Sequence, residues 1–311
     1  MNPALSAKSS KPNFRKGGVN RLPSWFRQAL PDESVFRVGQ LISEFNVRTV
    51  CQEAKCPNIS CCFKSNKATF IILGNRCTRN CRFCVVPKSE GKEMELDPSE
   101  PQRLSELVKI LGLSYVVITS VTRDDLMDGG ASSFVETIRL IRSANKEARV
   151  EVLIPDFQGR FSSLKCLADS RPDILAHNIE TIRRLYTHLR PQADYTRSLN
   201  LLSEIKKINF EIITKSSMML GLGETKREVI LTLQDLRNAG CDIVALGQYL
   251  APSREHFPVR RFVALEEFKR YKNIGLELGF REIISGPLVR SSYRAEEVYE
   301  SLQAACYKLQ A

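Results

Sequence analysis

The stretch Ala68-Thr-Phe-Ile-Ile-Leu-Gly74-Asn-Arg-Cys77-Thr-Arg-Asn-Cys81-Arg-Phe-Cys84 decides how the rest of the chain is read. Its first half is a short apolar, β-branched run that ends in glycine, the pattern of a strand buried on both faces. Its second half puts three cysteines within eight residues, spaced x3 and x2, in the loop that follows such a strand. Three thiolates at that spacing can hold three irons of a cubane [4Fe–4S] cluster and leave the fourth iron open. The rival metal is zinc. A structural zinc site wants four protein ligands, commonly from two separated Cys-x2-Cys knuckles, and no such pair of knuckles is present. Disulfides fit this spacing less well still.

Working outward, the chain after Lys67 repeats the same unit. Candidate strands are Ala68–Gly74, Ser114–Ser120, Val150–Pro155, Asp173–Asn178, Glu211–Leu220 and Asp242–Leu250. Between them, Leu104, Leu107, Val108 and Leu111 form a helical stripe, and Val229, Leu233 and Leu236 form most of another. Alternating strands and helices with near-continuous apolar strands predict an α/β fold with a parallel sheet. Six units predict a partial (β/α)6 barrel of the TIM type over residues 68–280. Residues 1–67 and 281–311 then flank it as extensions without further repeats. Val298, Leu302, Ala305 and Leu309 share one helical face, so the last segment is expected to be a docking helix.

A second cysteine trio precedes the barrel: Cys51-Gln-Glu-Ala-Lys-Cys56-Pro-Asn-Ile-Ser-Cys61-Cys62. The Cys77/Cys81/Cys84 loop is similar to that of the radical S-adenosylmethionine (SAM) enzymes, in which the open iron chelates SAM. The earlier trio resembles the second-cluster motif of the lipoyl synthase family. Gly286-Pro-Leu-Val-Arg290-Ser291-Ser292-Tyr293 resembles that family's C-terminal Arg-Ser-Ser-Tyr motif. Arg123-Asp-Asp-Leu-Met-Asp-Gly-Gly130, His177-Asn-Ile-Glu-Thr181, Thr214-Lys-Ser216, Gly221-Leu-Gly-Glu224 and Gln248-Tyr-Leu250 continue the match, which runs from about residue 45 to 295.

The resemblance implies two [4Fe–4S] clusters and SAM as cofactors. Cys77, Cys81 and Cys84 would hold the SAM-cleaving cluster, and Cys51, Cys56, Cys62 and Ser292 the second, with Ser291 as the fallback. It implies radical insertion of two sulfur atoms, at C6 and C8 of a protein-bound octanoyl chain, with the second cluster as sulfur donor. Another two-cluster sulfur-inserting enzyme, such as a methylthiotransferase, is the alternative. The partners implied are octanoylated lipoyl carrier domains, either 2-oxoacid dehydrogenase E2 subunits or the glycine cleavage H protein. The electron donor implied is a flavodoxin or a ferredoxin. SAM contacts are expected at the strand ends, where such barrels gather their chemistry. Asn178 and Glu180 match residues that hold the SAM ribose in biotin synthase, and a satisfied strand-end turn explains them equally well. Ser120 and Thr122 stand where many radical SAM enzymes carry Gly-Gly-Glu, so this chain departs from that pattern. Gly221 and Gly223 would let backbone approach adenine, or simply make a strand-to-helix turn. Ser292 is either an iron ligand or the cap of the helix starting near Arg294.

The remaining residues set bounds. A net charge of +11 calls for an acidic partner, and part of the excess is a basic arm of Lys8, Lys11, Arg15, Lys16, Arg21 and Arg27 ahead of the first acid, Asp32. No recognisable nucleic-acid module accompanies that charge, and no apolar run reaches the length of a membrane span. A cytoplasmic enzyme acting on neither nucleic acid nor membrane is expected. Cys166, Cys241 and Cys306 read as small core residues, Cys61 as a bystander, and His177 as a structural hydrogen-bonding group.

Overall fold

Apolar β-branched runs become strands and one-sided amphipathic runs become helices, because the strands at the centre of the sheet are covered on both faces and each helix on one. The computed structural model of the chain describes residues 22–27, 31–91 and 94–310, with side chains as far as 304. It begins with α1 (Glu33–Glu44), β1 (Arg48–Thr49), α2 (Val50–Glu53) and α3 (Ile59–Lys64). The repeats follow: β2 (Thr69–Ile72), α4 (Glu100–Ile110), β3 (Tyr115–Ser120), α5 (Ala131–Ala144), β4 (Arg149–Leu153), α6 (Phe161–Asp169) and β5 (Ile174–Ala176). Next come α7 (Tyr186–Leu189), α8 (Tyr195–Ile208), β6 (Ile213–Leu220), α9 (Lys226–Asn238) and β7 (Ile243–Gln248). The chain closes with α10 (Leu265–Glu277), β8 (Glu282–Gly286) and α11 (Ala295–Gln310).

The eight strands form one sheet in chain order, β1 antiparallel to β2 and every later neighbour parallel. The α/β partial barrel is as expected, and all six candidate strands are present, each somewhat shorter than its sequence run. Two strands were not anticipated. β1 and β8 come from outside residues 68–280 and extend the same sheet, β8 adding a seventh parallel strand where no further repeat was expected. β8 has the half-buried sequence Glu-Ile-Ile-Ser-Gly and lacks the continuous apolar run that marks the others.

The barrel's lower end is closed by α11. Leu302 joins the cluster of Ile174, Ile213 and Ile243, which open β5, β6 and β7, and Val298 packs against it. This is the docking helix read from the sequence; the side chains of Ala305, Leu309 and Cys306 lie outside the described residues, as do Lys8, Lys11, Arg15, Lys16 and Arg21. Inside the barrel, Lys215 donates to Glu151 at 2.8 Å, and Tyr115 donates to the same carboxylate at 2.8 Å. Lys215 and Glu151 side chains are each 1 % exposed, so this ion pair is part of the core. Among the described residues no helix is long and apolar enough to cross a membrane.

Candidate functional site

β2 stops at Ile72, and the following turn aims the chain out of the sheet. Leu73 takes a left-handed φ of 70°, unusual for a branched residue. Its amide donates to the Glu100 carboxylate at 2.6 Å, as Gly74's does at 3.4 Å, so the first acid of α4 closes the strand's exit. The Arg123–Gly130 segment grips the same turn. Buried Arg123 donates to the carbonyl oxygens of Leu73 at 3.5 Å and Met94 at 2.7 Å. A Cβ on Gly130 would stand 2.2 Å from Leu73 Cδ1, so only glycine allows that approach. Thr78 donates from its amide and its hydroxyl to the Thr122 carbonyl at 3.0 and 2.9 Å. Arg79, 4 % exposed, holds Asp124 through two bonds of 2.7 and 2.9 Å and also pairs with Asp156. Burial works to raise the Asp156 pKa, but the hydrogen bond and charge of Arg79 prevail and hold it well below the usual carboxylate range. The entry to the cysteine loop is therefore clamped, and its exit is tied back where the Cys77 amide donates to the Pro87 carbonyl and the Ser89 amide to the Cys77 carbonyl, each at 2.9 Å.

The first trio meets the far end of the chain. Cys51, Cys56 and Cys62 line one small cavity together with Arg290 and Ser292. Two contacts draw the C-terminal motif there: Thr69 Oγ1 donates to Ser292 Oγ at 2.7 Å, and Asn58 Nδ2 donates to the Leu288 carbonyl at 2.7 Å. A third is permitted by Gly247, since a Cβ there would lie 2.0 Å from the Val289 carbonyl oxygen. Ser292 therefore converges with the three expected cysteines. Ser291 does not line this small cavity but does line the larger one beside it.

That larger cavity, of about 400 Å³, is lined by two cysteines of the first trio, Cys51 and Cys56, and one of the second, Cys84. Cys51, Cys56 and Ser292 line one part, Cys84, Asn178 and Glu180 another, with apolar walls that include Phe83, Met219 and Tyr249. The sequence placed the trios at opposite ends of a seven-residue strand. β2 is four residues long, and Cys51, Cys56 and Cys84 line the same space.

Several observations match these residues to the groups the sequence calls for. Burial pushes the thiols up, Cys51 to about 11, Cys62 to about 12 and Cys84 to about 11, and raises Cys81 as well. Thiols of that kind become thiolates on binding metal and release protons. Beside each trio is an arginine, Arg190 buried and Arg290 half-buried, that forms no ion pair with a carboxylate among the described residues. Arg290 donates to the Val289 carbonyl at 2.7 Å and feels the charge of Cys56. Arg190 donates to the Tyr186 hydroxyl at 2.6 Å and to the Asn178 carbonyl at 3.1 Å, leaving its Nε without a partner. Burying a cation without a paired anion is costly, and an anionic group bound at each trio would supply one. Ser120 Oγ and Asn178 Oδ1 are likewise buried without hydrogen-bond partners, as polar atoms awaiting a ligand would be. Asn178 Nδ2 donates to Glu180 at 3.0 Å; burial raises the Glu180 pKa, and the nearby Arg190 charge lowers it. Glu180 takes a left-handed φ of 65°, a strained setting for a non-glycine residue. Among the described residues no three His, Cys, Asp or Glu side chains are grouped as ligands of a single metal ion.

Other expected sites serve the framework. Thr122 acts through its backbone. Gly221 and Gly223 line neither of these cavities; both have positive φ, and the Glu224 carboxylate accepts from the Gly221 amide at 2.7 Å to close the turn. A Cβ on Gly221 would lie 2.2 Å from Gln248 Nε2, so that glycine admits a side chain of the protein's own. His177 is a structural group, with Nδ1 2.9 Å from the Ile154 carbonyl and Nε2 3.0 Å from Ser198 Oγ. Cys241 is buried, but Cys166 is exposed because α6 buries Ser163, Leu164, Leu167 and Ala168 on its other face. Cys61 is exposed and lines neither cavity. Thr69, Asn58, Arg79, Arg190 and Gly247 carried no signal in the sequence, and Arg290 was visible only as part of a motif.

Residues 71–248 match the family model described as the radical SAM superfamily. A protein of Caldicellulosiruptor saccharolyticus named lipoyl synthase is 51% identical over 276 residues, covering 88% of this chain and 96% of that protein. One of Aquifex aeolicus with the same name is 51% identical over 263 residues, covering 85% of this chain and 95% of that protein. Among solved structures, methylornithine synthase matches with a TM-score of 0.53 at 18% identity, covering 82% of this chain and 72% of that one, a likeness of fold.

Proposed function

This chain belongs to the lipoyl synthase family of the radical SAM superfamily, and from that premise we propose that it inserts two sulfur atoms, at C6 and C8, into an octanoyl chain carried by a lipoyl domain. The observation that carries this reading is the shared cavity, where Cys51 and Cys56 of one trio and Cys84 of the other line one largely apolar space that an acyl chain would fill. Cys77, Cys81 and Cys84 would hold the open-iron [4Fe–4S] cluster, and Cys51, Cys56, Cys62 and Ser292 the second. When bound, these groups and SAM supply a hydrogen-abstracting radical and a source of sulfur, chemistry beyond any side chain.

The chain's own residues position and shield that chemistry. Ser120, Asn178 and Glu180 would orient SAM at the upper ends of β3 and β5. Phe83, Met219 and Tyr249 would exclude water and seat the acyl chain. Arg190 and Arg290 would balance the negative charge of the two sites. Ser292 would give the second site one hard oxygen ligand, which suits iron–sulfur chemistry less well than thiolate, so an iron held there would be the one most readily released. The octanoylated substrate would come from 2-oxoacid dehydrogenase E2 subunits or the glycine cleavage H protein, and the electron from a flavodoxin or ferredoxin, in the reducing cytoplasm.

Anaerobic reconstitution followed by iron and sulfide counting, then mass spectrometry of an octanoylated carrier peptide incubated with SAM and a reductant, tests the reading. Two clusters per chain and a peptide carrying two added sulfurs are expected. Bound zinc without labile sulfide, or an unchanged peptide from fully loaded enzyme, overturns it.

A further inference from the structure

A second opening, of about 580 Å³, reaches the Cys77–Cys84 loop from elsewhere on the molecule. Cys81 and Cys84 line it, and Cys84 is the only lining residue it has in common with the inner cavity. Around it stand Arg82, Lys88 and Arg260, with Glu255 the one acid among its described lining residues. None of the three cations pairs with a carboxylate of the described chain. Lys88 Nζ donates to the Cys84 carbonyl at 3.4 Å, Arg82 contacts the His188 ring at 3.2 Å, and the Arg260 guanidinium lies 5.1 Å over the Phe257 ring. The rim is also tied to the cysteine loop, since the Phe257 amide donates to the Arg82 carbonyl at 3.0 Å.

We propose that this basic opening is the docking site of a small acidic protein bearing a one-electron flavin or iron–sulfur centre, which reduces the cluster held by Cys77, Cys81 and Cys84. The proposal rests on the cluster reading above. The redox step is simple: the donor centre loses one electron, the cluster gains it, and no bond or proton is transferred. SAM and the acyl chain occupy the inner cavity during turnover, so an electron needs a separate approach to the same cysteines. The outer opening offers one at Cys81 and Cys84, and its unpaired cations match the acidic face such a donor presents. The carrier domain must deliver its chain to the inner cavity, whose lining overlaps this opening at a single residue.

The test uses reconstituted enzyme, a reduced acidic flavodoxin as protein donor and dithionite as a small chemical reductant. Association with oxidised flavodoxin, followed by biolayer interferometry across a salt series, gives a readout independent of turnover. Arg260→Glu should slow association about fivefold and flatten its salt dependence, while Arg260→Lys keeps wild-type behaviour and Glu255→Lys speeds association. SAM cleavage driven by flavodoxin should fall in step for Arg260→Glu, while cleavage driven by dithionite stays at the wild-type rate. Unchanged flavodoxin association in Arg260→Glu overturns the proposal. So does an equal loss with dithionite, which would place Arg260 at the SAM site, or slower binding of the octanoylated carrier in place of flavodoxin. A wild-type enzyme that cleaves no SAM with either reductant would instead refute the proposed function, and the association arm would still report on the surface.

Discussion

Arg290 illustrates what a single residue can conceal. In the sequence it is one arginine of a Ser-rich motif, and an arginine ordinarily sits in solvent; only the fold reveals it half-buried beside Cys56 and with no carboxylate partner among the described residues. Arg290→Met should therefore leave the Cys77/Cys81/Cys84 cluster in place while weakening retention of the second about 10–100-fold, the usual cost of losing a partner just outside a metal's ligands. Iron and sulfide counts after gel filtration read this directly, and two clusters retained would remove the arginine from the account. The cysteines themselves separate more sharply. Cys81→Ala should abolish 5′-deoxyadenosine formation. Cys56→Ala should keep part of it and form no sulfur-bearing product, and Cys61→Ala, exposed and outside both cavities, should match wild type. Mass spectrometry of the carrier peptide and chromatography of 5′-deoxyadenosine score all three. These cysteines were legible because ligation fixes their spacing. Thr69 was not, because a hydrogen bond to a partner 223 residues along the chain leaves no local pattern; nor was Arg190, whose burial is decided by the packing around it and not by its neighbours in sequence.

Elements were legible in proportion to their length and apolar character. The strands β2 to β7 announced themselves as buried runs. β1 has two residues and β8 a half-exposed pattern, so neither is distinguishable from a loop until its neighbours are in place. Even so, β8 delivers the motif that completes the second site, and its approach depends on β7. At Gly247 a methyl group would meet the Val289 carbonyl oxygen at 2.0 Å, and backbone cannot rotate away as a side chain can. Gly247→Ala should cost about 1–3 kcal/mol of stability, the usual range for overpacking, and should displace Ser292 from the cysteines. A lowered thermal midpoint with loss of the second cluster and retention of the first is the expected pair of results. A stable variant that binds both clusters would show that the turn tolerates movement.

Over the whole molecule, two buried titratable groups set the conditions under which the barrel holds. Burial pushes the His177 imidazole down to about 4, with the Arg190 charge acting in the same direction. The unfolded chain takes up that proton first, so the contribution is complete above about pH 6.5 and is lost progressively as pH falls toward 4. Its size is on the order of 3 kcal/mol at most. Urea midpoints of His177→Gln should vary less than those of wild type across that window, and an identical pH dependence would exclude the histidine as its source. Glu151→Ala should be far more damaging at every pH, because it strands Lys215 inside the barrel; breaking such a pair costs about 3–5 kcal/mol. Scale also governs time. Thr69 and Ser292, joined by one hydrogen bond, are 223 residues apart in the chain. A ribosome adding about 5–20 residues per second needs roughly 10–45 s to make that interval. Cys77, Cys81 and Cys84 lie within the first hundred residues, and the partners that clamp their loop, Thr122, Asp124 and Asp156, follow within about eighty more. The sulfur-donating site cannot exist until the other end has emerged and folded back. Assembly therefore has an order written into it, and the segment that brings Ser292 to the cysteines is among the last parts of the fold to find its partners.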